Sequence, residues 1–169
     1  MKKIVLIVSM IFLMAGITIG KETQRDKRKA REKAKMEEIL QLFVNRNLQF
    51  LAQSAHPMGG GVIHLTSEYT LTIQTEEVIA FLPYFGVAYT ADYGNNEGGI
   101  KFDEKVLSQQ WKSSKKGYDI QFEVKAPRDR YVLHLFFSTA GYATLHVTCN
   151  NRQPISFSGI VQAMPVKEK

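Results

Sequence analysis

The sequence predicts an α+β protein, mainly antiparallel β, in which one N-terminal helix precedes a meander of about eight strands. The strands should form a curved open barrel or a two-layer sandwich. Three observations lead there. Apolar residues recur with a helical period only before Asn45, and alternate with polar ones afterwards. The alternating segments are separated by short turns rich in Gly, Pro, Asn and Asp, and short turns force antiparallel neighbours. The chain has 169 residues with 44% hydrophobic, 22% charged and 11% aromatic content, which suits one domain with a real core and excludes a disordered chain.

The helix comes first. Glu22 to Phe43 holds good helix formers and neither Gly nor Pro. Met36, Ile39, Leu40 and Phe43 follow the i, i+3, i+4, i+7 spacing of one face. A basic amphipathic helix over 21–46 is therefore expected to dock through those four side chains and to leave Lys27, Arg28 and Arg31 in water.

The β domain is expected over 47–164, with 165–169 as a tail. Leu48, Phe50 and Ala52 alternate with Asn47, Gln49 and Gln53 in a first strand that His56-Pro57 and Gly59-Gly60-Gly61 break. Tyr69, Leu71 and Ile73 form the apolar face of a second strand, and Thr75-Glu76 turns into a third, Glu77 to Phe81. Leu82 to Ile100 is irregular, an ordered loop or bent strand whose rings pack down. Lys101 to Trp111 reads as extended or mixed. Tyr118, Ile120, Phe122 and Val124 then alternate with polar residues, and Ala126-Pro127-Arg128-Asp129 turns the chain. Arg130 to Ser138, Ala143 to Cys149 and Ile155 to Val161 complete the meander, with a bulge suggested at Gly159.

Lys2 and Lys3, the apolar run from Ile4 to Met14 and the small residues near Gly20 have the order of a signal peptide over 1–20. Ile4 to Ile19 is 16 residues, short of the roughly 18 to 20 that span a bilayer, so an uncleaved anchor is the rival reading. The expected location is periplasmic or secreted. The lone cysteine, Cys149, lies far from the signal, so no lipoprotein anchor and no internal disulfide are expected.

Charge is unevenly placed. The chain carries a net +6, and without Lys2 and Lys3 it carries +4. Lys21 to Ala52 has nine basic residues against five acidic, whereas the chain from Gln53 onward has eleven of each. The excess is either a solvated helix face or an arm that touches an anionic surface through Lys27, Arg28, Lys29 and Arg31. Nucleic acid is not an expected partner, since Lys21 to Lys35 has no aromatic residue to stack on bases.

Candidate chemistry is sparse. Cys149 shares strand parity with Ala143, Leu145 and Val147, so its thiol should face the core as a small hydrophobe. The four histidines, His56, His64, His134 and His146, show no metal-binding spacing, and no metal or cofactor is expected. If Thr139-Ala140-Gly141 is a three-residue hairpin loop, His134 lies opposite His146, and the preceding turn adds Gln121 to a polar row. Asp119 and Glu123 share a face about 13 Å apart, at roughly 3.3 Å per strand residue, too far for a glycosidase pair. The aromatic, Gly-rich loop is the best binding candidate. Tyr84, Phe85, Tyr89 and Tyr93, with Asn95 and Asn96, combine ring faces with amides, the mix that glycan or peptide sites use. The plainer reading is that these rings cap an open end of the core.

Three segments carry a family likeness: Leu82 to Tyr89 (LPYFGVAY), Gly98 to Phe102 (GGIKF) and Asn151 to Ile160 (NRQPISFSGI). With the basic helix before them, the chain resembles exported bacterial proteins grouped as domain of unknown function 4251. The resemblance implies no activity and no catalytic residues. Members often carry a lipoprotein-type cysteine after the signal, which this chain lacks. The expected function is a non-enzymatic exported binding module that contacts a glycan, peptide or envelope protein through the aromatic loop. A small envelope hydrolase and a structural partner that uses the basic helix are the alternatives.

Overall fold

The computed structural model describes residues 24–89, 99–127 and 129–165. The signal expected over 1–20 and most of the tail lie outside them. Among the described residues one helix, α1 (Gln24–Val44), precedes eight strands: β1 (Leu48–Pro57), β2 (Ile63–Gln74), β3 (Glu77–Leu82), β4 (Ile100–Ser114), β5 (Gly117–Lys125), β6 (Arg130–Phe137), β7 (Tyr142–Cys149) and β8 (Ile155–Gln162). The chain divides into two compact units, Met1–Lys33 and Ala34–Lys169. Residues 24–33 of the first unit are helical and exposed throughout, with an Arg28–Glu32 ion pair at 2.8 Å.

In the second unit each strand pairs with the next, and β8 returns to β1, so the sheet is a closed barrel. That ladder, from Gln49↔Gln162 to Pro57↔Ile155, decides between the open barrel and the sandwich. Period-2 patterning builds the interior, because alternate side chains of each strand point inward. Phe50, Phe122, Phe137 and Phe157 are fully buried there with Leu48, Leu71, Ile120 and Leu133. At about 1.5–3 kcal/mol per large apolar side chain removed from water, these residues dominate the stabilisation.

The docked face of α1 differs from the sequence expectation. Ile39 is fully buried and Leu42 and Phe43 pack on the core, but Met36 and Leu40 are 48% and 41% exposed. The contact is a narrow arc. Ile39 seats against Gly141, where an added Cβ would stand 3.1 Å from Ile39 Cδ1. Phe43 inserts between Tyr118 at 4.6 Å and Trp111 at 5.4 Å, centroid to centroid. Arg46, in the left-handed region with φ 51°, ends the helical segment and sets its guanidinium over the Trp111 ring.

Two irregularities shape the sheet. The bulge suggested at Gly159 falls across the ladder, in β1 between Ala52 and Ser54. Gly159 itself is required by proximity, since a Cβ there would lie 2.0 Å from Leu51 O. Second, β3 has six residues between neighbours of twelve and fifteen. β4 pairs with β3 only up to Lys105 and continues alongside β5 after a register shift at Leu107. That strand is longer than its mixed sequence pattern suggests.

Candidate functional site

Antiparallel order puts the β1–β2, β3–β4, β5–β6 and β7–β8 connections at one end of the barrel. The β3–β4 loop is the longest of them, and its described first part, 83–89, is tied down. β3 and β7 stand on opposite sides of the eight-strand ring, yet Ala88 forms an antiparallel bridge with Arg152, just beyond β7. The loop therefore crosses the mouth. The Tyr89 amide donates to Asn151 O at 2.8 Å, and the Gln153 amide donates to Val87 O at 3.1 Å.

Side chains complete the strap. The Tyr84 hydroxyl donates to Val87 O at 3.0 Å and Gln153 O at 3.1 Å. Arg152 lays its guanidinium 5.1 Å from the centre of the Tyr84 ring and donates to Gly99 O at 3.1 Å, where the loop re-enters β4. Gly86 is needed for this packing, because a Cβ there would fall 2.7 Å from the Tyr84 hydroxyl. Asp129 braces the opposite connection by accepting from the amides of Arg130, Asn150 and Asn151. Leu82 to Tyr89, the described part of the second segment from Gly99 to Phe102, and the start of Asn151 to Ile160 thus meet at one node.

The expected binding residues separate in their surroundings. Tyr84 is held by its hydroxyl, its ring is covered by Arg152, and burial pushes its phenol pKa up. Phe85 packs partly against the core, whereas Tyr89 is open to solvent. Tyr93, Asn95 and Asn96 lie outside the described residues. On the same end of the barrel, Met58 and Val62 of the β1–β2 loop and Val87 beside Tyr89 are each more than half exposed. Sequence reasoning missed Arg152 and Asp129, whose contacts are with backbone atoms distant in the chain and leave no periodic trace.

Cys149 sits beside this node. Its thiol is half-buried, approaches Arg152 O at 3.9 Å, and is pushed up to about 11, first by burial and then by the Asp129 carboxylate. A thiol held protonated near neutral pH is a poor nucleophile.

The polar row lies on the outer wall. Gln121, His134, His146, Ser156 and His56 follow one another in register across β5, β6, β7, β8 and β1. Gly141, at φ 90°, supplies the left-handed residue of the hairpin that fixes His134 against His146. His134 Nε2 lies 2.7 Å from Asp119 Oδ2, His146 Nδ1 2.7 Å from Ser156 Oγ, and His56 Nε2 2.9 Å from Ser158 Oγ. Among the described residues no group of three or more His, Cys, Asp or Glu side chains is close enough to hold a metal ion. Glu123 pairs with Arg130 rather than with Asp119.

A comparison with curated proteins finds no match. A crystal structure of a DUF4251 family protein from Bacteroides eggerthii DSM 20697 has a similar fold, with a TM-score of 0.61 at 15% identity over 79% of this chain and 91% of that one. The family described as Domain of unknown function (DUF4251) matches residues 30–161, a span that runs from within α1 to β8 and includes every segment of the strapped mouth. The chain belongs to the DUF4251 family.

Proposed function

We propose that this protein is an exported, non-enzymatic binding module that meets its partner with the loop end of the barrel. The supporting observation is the strap. Tyr84 and Arg152 fix the β3–β4 loop across the mouth, and the loop then offers Val87 and Tyr89 to solvent. A loop held in place before contact loses little conformational entropy when it binds. Exposed Met58 and Val62 at the same end add apolar area. Among the described residues, exposed aliphatic and Met side chains beside Tyr89 suit a peptide or protein surface. The Lys2-Lys3, apolar and small-residue order of the N-terminus supports export. The protonated Cys149 thiol supports a binding role over thiol hydrolysis.

The test is NMR mapping with envelope peptides and, separately, envelope glycans, using wild type and a Val87→Ser/Tyr89→Ser double variant. Shifts at 58–62 and 87–89 that vanish in the variant are expected with peptide. Shifts confined to the outer wall, saturation by glycan alone, or turnover of either ligand would overturn the reading. Host fractionation should place the protein outside the cytoplasm with a start near Lys21.

A further inference from the structure

The net charge of the molecule and its division into units share one boundary. Residues 1–33 carry nine Lys or Arg against three Asp or Glu, and Ala34 to Lys169 carry thirteen of each. The whole excess of +6 therefore belongs to the unit Met1–Lys33. Its described part, 24–33, holds Arg25, Lys27, Arg28, Lys29, Arg31 and Lys33 against Asp26 and Glu32, with every residue exposed.

The placement of these charges bears on what they fit. At about 100° per residue they point around the full circumference of the helix and do not gather on one face. A grooved protein partner reads one face. A diffuse sheet of anions reads the sum, because a helix is about 10–12 Å across and the screening length is about 8–10 Å at moderate salt. Ala30 is the one apolar residue between Gln24 and Lys33, so the segment has nothing to insert into hydrocarbon. The lack of aromatic rings disfavours single-stranded nucleic acid.

We infer that the helical segment Gln24–Lys33 is an electrostatic docking arm for a membrane surface rich in anionic phospholipid headgroups. This does not depend on what the barrel mouth binds. Near such a surface each Lys or Arg contributes about a fivefold gain in partitioning. Four removed charges should therefore weaken binding several-hundredfold.

The experiment is vesicle co-sedimentation of the protein purified from its host, wild type against a Lys27→Gln/Arg28→Gln/Lys29→Gln/Arg31→Gln variant processed in the same way. Vesicles of phosphatidylglycerol with phosphatidylcholine are compared with phosphatidylcholine alone, and a third arm adds soluble polyphosphate at matched phosphate. Unchanged melting temperature of the variant certifies its fold, since the four side chains are exposed. Binding to the anionic vesicles alone, released by high salt and lost in the variant, is the expected result. Equal binding to neutral vesicles, undiminished binding of the variant, or complete displacement by polyphosphate at matched phosphate would each overturn the inference.

Discussion

Replacing Arg152 by Met tests whether the mouth is held by its strap. The substitution keeps an unbranched stem but removes the charged hydrogen bond to Gly99 O at 3.1 Å and the stacking on Tyr84. A hydrogen bond from a charged donor contributes about 1.5–3 kcal/mol and a partly exposed cation–π contact about 0.5–1 kcal/mol. Solvent access trims the sum, which leaves about 2 kcal/mol. For a chain of this size that is a fall in melting temperature of about 6 °C. Tyr84→Phe, which removes only the hydroxyl shared by Val87 O and Gln153 O, should cost about 1 kcal/mol, or about 3 °C. The assay pairs thermal melts with amide hydrogen exchange. The Tyr89 and Gln153 amides, which bond to Asn151 O and Val87 O, should lose protection in Arg152→Met while amides of β6 and β7 keep theirs. If both variants melt with wild type and those two amides stay protected, the strap does not hold the loop.

Three further outcomes are expected. Ile39→Ala should cost about 2–4 kcal/mol in urea denaturation, whereas Leu40→Ala and Met36→Ala should each stay within about 0.5 kcal/mol, because only Ile39 is fully buried. Gly159→Ala should destabilise by about 3 kcal/mol, since its methyl meets Leu51 O, and circular dichroism of the β signal against urea will show it. Cys149, with its thiol raised to about 11, should react with iodoacetamide at pH 8 about a hundredfold more slowly than an open thiol of pKa 9.0, with the rate climbing about tenfold per pH unit. Because folding raises this pKa, the native state holds the proton that the unfolded chain releases. The thiol's contribution to stability is thus full below pH 9.0 and lost as pH rises to about 11.

What could be read from the chain was what neighbouring residues decide. The hairpin joining β6 to β7 was legible because Gly141 marks the left-handed turn position and Leu133, Leu135, Leu145 and Val147 must share the core side. The face of α1 was read correctly at Ile39 and Phe43 and wrongly at Met36 and Leu40, which are exposed while Leu42 packs on the core. Periodicity marks a stripe, but a helix seated on a barrel end meets its neighbours along an arc whose direction Gly141 and Tyr118 set from far along the chain. Closure was hidden for the same reason, because the β1–β8 ladder joins Gln49 to Gln162. Within the mouth, Tyr84 and Tyr89 were legible as rings in a Gly-rich loop. Their different fates depend on Arg152, and the Tyr84 hydroxyl reaches across 69 residues to Gln153 O.

The shortness of β3 decides where the sheet is open to strand addition. In a ring of paired strands, backbone donors and acceptors are already consumed, so an incoming peptide has no ladder to join. Beside β3 the longer neighbours overhang, and there alone among the described strands does the sheet have margins: Ile63 to Tyr69 of β2 and Leu107 to Ser114 of β4. Both are blunted. The β2 margin is out of register with β1 between Ser54 and Ala52, and the β4 margin begins with the bulge at Leu107 and bears Lys112. Such kinks and charges discourage strand addition and fibril-like stacking of copies. A strand added to this barrel would thus meet kinked and charged margins beside β3 and a fully paired ladder at the other described strands.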